Sequence, residues 1–314
     1  MTKLNRKLII GSRGSKLAVL QARMVETALK AAFPDIQIEF KTITTTGDRD
    51  RTRSLDEVGG QGIFVKELEH ALVAEKIDLA VHSLKDVPTE LGPGLSLAAV
   101  LPREDPRDVL VSSSGLNMAQ LPGGSRLGTD SRRRAAQLKA IRPDLIPCPI
   151  RGNIDTRLRK VKNGEVNGAI LAAAALLRLG LADRIAEFLP VDLFLPAVGQ
   201  GAIAVEVRGQ DAISVQAASA INHVSTMQSV KAERAFMRAL GGGCRAPIAA
   251  LAIVSDGRIA VEGMVASMDY SRIVRDRNSG PANDAEAAGR ELARRILRRG
   301  GKEIACESGR LGIA

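Results

Sequence analysis

Two periodicities alternate along the first two-thirds of the chain. Residues 7–11 form a short apolar run, and Ser15 precedes a segment in which Leu17, Leu20, Met24 and Ala28 recur at helical spacing. Ser15 suits the N-cap of that helix, which must end before Pro34. Ile36, Ile38 and Phe40 then alternate as a strand does. Residues 44–62 are polar, charged and glycine-rich without a period, the pattern of a lid or a disordered segment. Residues 62–74 return to helical spacing, and Leu79-Ala80-Val81 reads as a buried strand ending at His82-Ser83. This strand–helix rhythm predicts an α/β fold with a mostly parallel, doubly wound sheet.

A charged, proline-broken linker at residues 101–107 separates this from a second α/β stretch, with strands at 109–111 and 169–172 and a helix over 131–141. A strand at 203–207 follows Pro190 and Pro196. Beyond it, residues 251–253 and 259–261 alternate around Asp256-Gly257, a hairpin signal, and Asn283 or Asp284 opens a last helix that stops at Gly300-Gly301. The expected division is a first domain over 1–102, a second over 103–199, a return segment over 200–220, and a smaller α+β domain over 221–314.

Composition narrows the functional classes. With 6 Phe, 1 Tyr and no Trp among 314 residues, the cores must be aliphatic, and the stacking platforms of a single-strand nucleic-acid binder are missing. The net charge of +10 points to an anionic partner. The longest apolar run, residues 169–177, falls short of the ~20 residues of a membrane span. The apolar stretch Leu8-Ile9-Ile10 is shorter than the roughly 7–15 residues of a signal-peptide core. Cys148, Cys244 and Cys306 form no disulfide framework or paired metal motif, and a reduced, cytoplasmic setting is expected. His70, His82 and His223 are too few and too far apart for a histidine-rich metal site.

Gly199-Gln200-Gly201 with Ala204 loosely fits a dinucleotide fingerprint, but a β-branched run follows it, so a hinge turn entering a strand is the better reading. No phosphate-binding Gly-x-x-x-x-Gly-Lys-Ser/Thr loop is present. The arginines say more. Arg132-Arg133-Arg134 follow Thr129 and Ser131, either of which can cap a helix; Arg151 and Arg157 flank another helix start, and Arg13 precedes Ser15. Arginines at strand-to-helix turns stand where α/β folds bind ligands, and their planar forks favour carboxylate or phosphate. Arg294, Arg295, Arg298 and Arg299 recur mid-helix and read instead as a solvated face. Lys85 and Asp86 end a buried strand, where Asp86 could move a proton or stabilise a cation and Lys85 could hold an anion, a surface salt bridge being the blander alternative. Gly241-Gly242-Gly243 presents Cys244 on a pliable loop, with Arg245 favouring its thiolate, whereas Cys148 and Cys306 read as structural.

The residues 80–88 (Ala-Val-His-Ser-Leu-Lys-Asp-Val-Pro), Gly128-Thr129 with Ser131, Arg133 and Arg134, the run 195–201 (Leu-Pro-Ala-Val-Gly-Gln-Gly) and the Gly-Gly-Gly-Cys244 loop together resemble the porphobilinogen deaminase (hydroxymethylbilane synthase) family. The resemblance runs in order from Leu8 to the C-terminal helix. It implies two doubly wound domains like those of periplasmic binding proteins, a smaller α+β C-terminal domain, and a monomer. It also implies condensation of four porphobilinogen molecules with loss of ammonia, on a dipyrromethane cofactor attached through Cys244. On this resemblance Asp86 is the catalytic carboxylate. Arg13, Ser15, Ser83, Lys85, Thr129, Ser131, Arg133, Arg134, Arg151, Arg157, Arg178 and Gln200 bind cofactor and substrate, and Phe64 belongs to the lid. The chain departs from the family pattern at Asp130, Arg132 and Gln61, and Arg245 follows the cysteine where family members vary. A non-enzymatic two-lobed binder of polycarboxylates would share the arginines but have no use for the cysteine loop. A basic nucleic-acid binder would use the charge but lacks the aromatics.

Overall fold

The structure, a computed structural model, describes residues 6–49, 62–241 and 247–307. The chain lays down β1 (Leu8–Ser12), β2 (Ile38–Thr42), β3 (Leu79–Ser83) and β4 (Leu95–Val100). It continues through β5 (Asp108–Ser112), β6 (Arg126–Gly128), β7 (Ile146–Cys148), β8 (Gly168–Ala172) and β9 (Glu187–Phe188). β10 (Ile203–Arg208) follows, then β11 (Ile248–Ser255), β12 (Arg258–Ala266) and β13 (Ile273–Pro281). These fall into two compact units, one of Met1–Glu104 with Ala202–Met227 and one of Asp105–Gly201 with Gln228–Ala314.

The first unit holds a five-stranded sheet in the order β2-β1-β3-β10-β4. β1, β2 and β3 are parallel, and β10 runs antiparallel to both of its neighbours, so four of the five strands point the same way and the sheet is mostly parallel, as expected, with one reversed strand. The helix Lys16–Ala32 starts where Ser15 accepts a hydrogen bond from the Ala18 N–H at 3.3 Å. Its buried stripe is Ala18, Gln21, Ala22, Val25 and Leu29, one position round from the expected Leu17-Leu20-Met24-Ala28 face. Through Ala22, Val25 and Leu29 the helix packs into one core with Leu8, Ile10, Leu79, Val81, Ile203 and Val205. Inside the sheet, His82 Nε2 and Glu206 Oε2 lie 2.9 Å apart, both buried.

The second unit repeats this plan with the order β7-β6-β8-β5-β9, in which β5 is the reversed strand. It also contains an antiparallel sheet, β11-β12-β13, whose first hairpin turns at Asp256 and Gly257 as expected. β13 escaped the sequence pattern because Arg275, Asp276, Arg277, Asn278 and Ser279 leave no apolar alternation. The helix Ala285–Ile296 packs against this sheet through Leu292 and Ile296, in one cluster with Phe236 and Val261. A Cβ at Gly289 would collide with the carbonyl of Ala232, in the helix Val224–Ala239, so glycine sets how closely these two helices approach. The backbone leaves helical geometry at Arg299 and Gly300, the latter at φ +101, as the expected stop requires, and a further short helix, Lys302–Glu307, follows the kink. A further cluster of Ala136, Leu195, Ala249, Met264 and Ala266 ties this sheet to the helix Arg132–Ile141 within the unit. Gly199 and Gly201, at φ +71 and +87, form a turn and a strand follows, as the hinge reading expected.

Candidate active site

Parallel neighbours in a sheet end side by side, so the turns after β1 and β3 begin together. Arg13 follows β1. Its guanidinium donates to both Asp48 oxygens, at 3.2 Å from Nε and 2.5 Å from Nη2, and lies 4.0 Å from the centre of the Phe64 ring. Asp48 sits in the short helix Thr46–Arg49. Burial works to raise its carboxyl, but the Arg13 charge and the Thr45 hydrogen bonds outweigh it and hold it below its ordinary value. Asp48 thus orients Arg13 against Phe64, a contact the sequence reading did not anticipate. Residues 50–61 of the expected lid lie outside the described residues, as does Gln61.

β3 runs into the single turn Leu84–Asp86. Leu84 and Val87 are buried, and the Leu84 N–H donates to the Ala202 carbonyl at 3.0 Å. These anchors leave Lys85 and Asp86 half-buried at the carboxyl end of the strand. Ser83 is held by reciprocal hydrogen bonds with Gln21, at 2.9 and 3.1 Å, and Ser15 serves as the helix cap described above.

The second unit gathers its candidates in the same place, after the parallel strands β7, β6 and β8. Thr129 follows β6, and its Oγ1 accepts from the Ser131 N–H at 3.2 Å. Ser131 in turn caps the helix Arg132–Ile141 by accepting from the Arg134 N–H at 3.4 Å. After β7, Asn153 caps the helix Ile154–Lys162, and Arg157 Nε donates to the Gly152 carbonyl at 2.9 Å. Arg151 and Arg157 converge on Asp130, with N–O distances of 3.9 and 3.8 Å to its Oδ2. After β8, the helix Ala173–Arg178 ends with Arg178, whose Nη2 donates to the Gly201 carbonyl at 2.7 Å.

Arg133 and Arg134 differ from the rest of the expected set. They are only 4% and 6% exposed, and the carboxylate that their forks meet is the chain's own Asp108. Arg133 Nη1 donates to Asp108 Oδ2 and the Leu195 carbonyl, both at 2.7 Å. Arg134 donates to Asp108 Oδ1 from Nε at 3.0 Å and from Nη2 at 2.7 Å, and to the Ile170 carbonyl at 2.8 Å. Gln200 Nε2 adds a bond to Asp108 Oδ1 at 2.9 Å and one to the Pro106 carbonyl at 2.8 Å. Burial alone would raise the Asp108 carboxyl; the charges and hydrogen bonds of the two guanidiniums outweigh that and hold it far below the carboxylate range. Sequence reasoning missed Asp108. Its one signal is a lone acid opening the apolar strand Val109-Leu110-Val111.

Cys244 lies outside the described residues. Cys148 is buried, and burial pushes its thiol up, which suits an inert structural cysteine. Among the described residues no cluster of His, Cys, Asp or Glu could hold a metal ion, and no helix is long and apolar enough to cross a membrane.

Each of the two α/β sheets carries basic side chains in the turns after its parallel strands, Arg13 and Lys85 in the first and Arg151 in the second. Residues 8–216 match the family model described as porphobilinogen deaminase, dipyromethane cofactor binding domain, and residues 227–298 match the porphobilinogen deaminase C-terminal domain. The chain is 48% identical over 303 residues to the porphobilinogen deaminase of Syntrophomonas wolfei, spanning 96% of this chain and 99% of that one. It is 50% identical over 295 residues to that of Moorella thermoacetica, spanning 94% of each. The chain belongs to the porphobilinogen deaminase family.

Proposed function

We propose that the chain joins four porphobilinogen molecules head to tail with loss of ammonia, on a dipyrromethane primer held by Cys244, and releases linear hydroxymethylbilane. Family membership makes it an enzyme, the hydroxymethylbilane synthase of tetrapyrrole synthesis. The observation that carries the residue-level reading is the placement of Asp86 after β3, next to the strand whose turn carries Arg13.

The residues present fit the cofactor chemically. Each pyrrole bears an acetate and a propionate, so a dipyrromethane needs several cationic forks, and Arg13 and Arg151 in strand-end turns, with Arg157 and Arg178 on the helices that follow, are the candidates to supply them. When bound, the primer supplies the nucleophilic pyrrole carbon. Lys85 holds a carboxylate of the incoming pyrrole and sets its orientation. Asp86 faces the pyrrole N–H as the aminomethyl C–N bond breaks and its electron pair leaves with ammonia. The positive charge left on that pyrrole is then stabilised by the Asp86 carboxylate. After the carbon–carbon bond forms, Asp86 takes up the proton released from the attacked carbon. Arg133, Arg134 and Gln200, joined at Asp108, brace the turn that Thr129 and Ser131 present to the ligand. Ser15 and Ser83 shape the corresponding turns of the first unit, and Phe64 packs the lid side of Arg13.

The same reading keeps the domain division at 1–102, 103–199, 200–220 and 221–314, with a cytoplasmic monomer that engages neither nucleic acid nor membrane. The test is the intact mass of the purified protein. Wild type should be heavier than its sequence by one dipyrromethane, Cys244→Ser should not, and Cys148→Ser and Cys306→Ser should retain the adduct. An unmodified mass in active wild-type protein overturns the assignment.

A further inference from the structure

We infer that the buried His82–Glu206 pair positions Asp86: it fixes the register of β10 on β3 and, through that register, the turn that presents the carboxylate. The inference rests on the reading of Asp86 as the catalytic group. His82 Nε2 and Glu206 Oε2 lie 2.9 Å apart, with the two side chains 3% and 0% exposed. In the ladder His82 stands opposite Ala204, and Glu206 opposite Ala80, so the pair reaches diagonally between the strands. It does so on the sheet face where Ala80 packs with Leu68 and Leu72 of the helix Lys66–Val73. Glu206 Oε1 is shut off from water and has no hydrogen-bond partner among the described residues. Glu69, on the same helix, brings negative rather than positive charge to this face. Burial pushes its carboxyl up and the Glu206 charge pushes it further, against the Gly92 N–H bond and the charges of His82 and His70.

A buried ion pair is seldom the most stabilising way to fill a core, and fixing register is its better-attested use. A one-residue slip of β10 would turn Glu206 toward the apolar face of Val81, Ile203 and Val205. A two-residue slip would keep the face but part carboxylate from imidazole by roughly 7 Å. On its other side β10 has a weaker guide, because its register against β4 shifts between Val205 and Glu206. Register matters at Asp86 because Ala202, the residue before β10, accepts the Leu84 N–H at 3.0 Å, and Leu84 accepts the Val87 N–H at 3.0 Å. Those bonds bracket Lys85 and Asp86. His82 and Glu206 act through this turn, as positioning residues.

The experiment measures single-turnover ammonia release at saturating porphobilinogen, on protein whose intact mass shows the dipyrromethane. His82→Leu should slow release about tenfold to a hundredfold, the scale of a small displacement of a reacting group. His82→Gln, which keeps an N–H donor for Glu206, should recover to within about threefold of wild type. His82→Leu/Glu206→Leu removes the buried charge along with the pair; it should melt no lower than His82→Leu and still release ammonia as slowly. In an Asp86→Asn background, His82→Leu should slow release by less than about twofold further, since residues acting as a unit are not additive. Where His82→Leu alone is too unstable, the double-leucine variant takes its place in both backgrounds. Wild-type release by the double-leucine variant overturns the inference, as does a slowing by His82→Leu that is as large in Asp86→Asn as in wild type. If Asp86→Asn itself releases ammonia at the wild-type rate, the reading of Asp86 has failed and the inference falls with it.

Discussion

Asp108→Asn tests whether two of the arginines first serve the interior. Asp108 is fully buried and accepts hydrogen bonds from Arg133, Arg134 and Gln200. Asparagine fills the same space and keeps one acceptor, but it leaves two buried guanidiniums with no counter-charge. Counting three charged hydrogen bonds at ~1.5–3 kcal/mol each would overstate the loss, because one oxygen survives. The cost of breaking a buried pair by removing one partner, about 3–5 kcal/mol, is the better guide. Against the roughly 5–15 kcal/mol that holds a domain together, this is a large fraction. At about 2–4 °C per kcal/mol for a domain of this class, the melting temperature should fall by roughly 6–20 °C. The assay is thermal and urea unfolding of wild type and variant across pH. The Asp108 carboxyl is held far below its unfolded value of about 3.9, so its contribution is complete above that pH and is lost as pH falls through the folded value. The gap between wild type and Asp108→Asn should therefore stay level from pH 8 to about pH 5 and shrink only below about pH 4. A variant that melts within about 2 °C of wild type at pH 7 would refute the reasoning.

Asp86→Asn keeps size and one oxygen but removes the charge; single-turnover ammonia release should drop by roughly 10²–10⁴ while the intact mass still carries the dipyrromethane. Wild-type release by this variant would reduce Asp86 to a partner for Lys85. Arg294→Leu and Arg298→Leu should leave activity unchanged and shift stability by no more than about 0.5 kcal/mol, since both side chains are largely exposed and, among the described residues, pair only with Glu291. A loss of activity as large as that caused by substitutions at Arg13 or Arg157 would mean that overall charge, not placement, governs binding.

Local signals were legible in the chain itself. Ser15 reads as a cap, and Ser131 as one of two candidates, because an N-cap needs only a side-chain oxygen within reach of an N–H in the next turn. The Asp256-Gly257 hairpin, the buried run at Leu79-Ala80-Val81 and the strand-end position of Asp86 were legible for the same reason. Their geometry is decided within a few residues. The reversal of β10 and β5 was not legible, because strand direction depends on where the chain returns after a long excursion. Nor was the true buried stripe of the helix Lys16–Ala32, which runs through Ala18, Gln21, Ala22, Val25 and Leu29 because that is the face the sheet core meets. The arginines show the divide most sharply. Sequence placed Arg133, Arg134, Arg151 and Arg157 together at helix starts, where each could meet a carboxylate. Only the tertiary structure sent the first two inward to Asp108 and the second two toward Asp130. A guanidinium's partner is chosen by what other strands carry to the same point in space, and the spacing of arginines along one strand-to-helix turn holds no record of that.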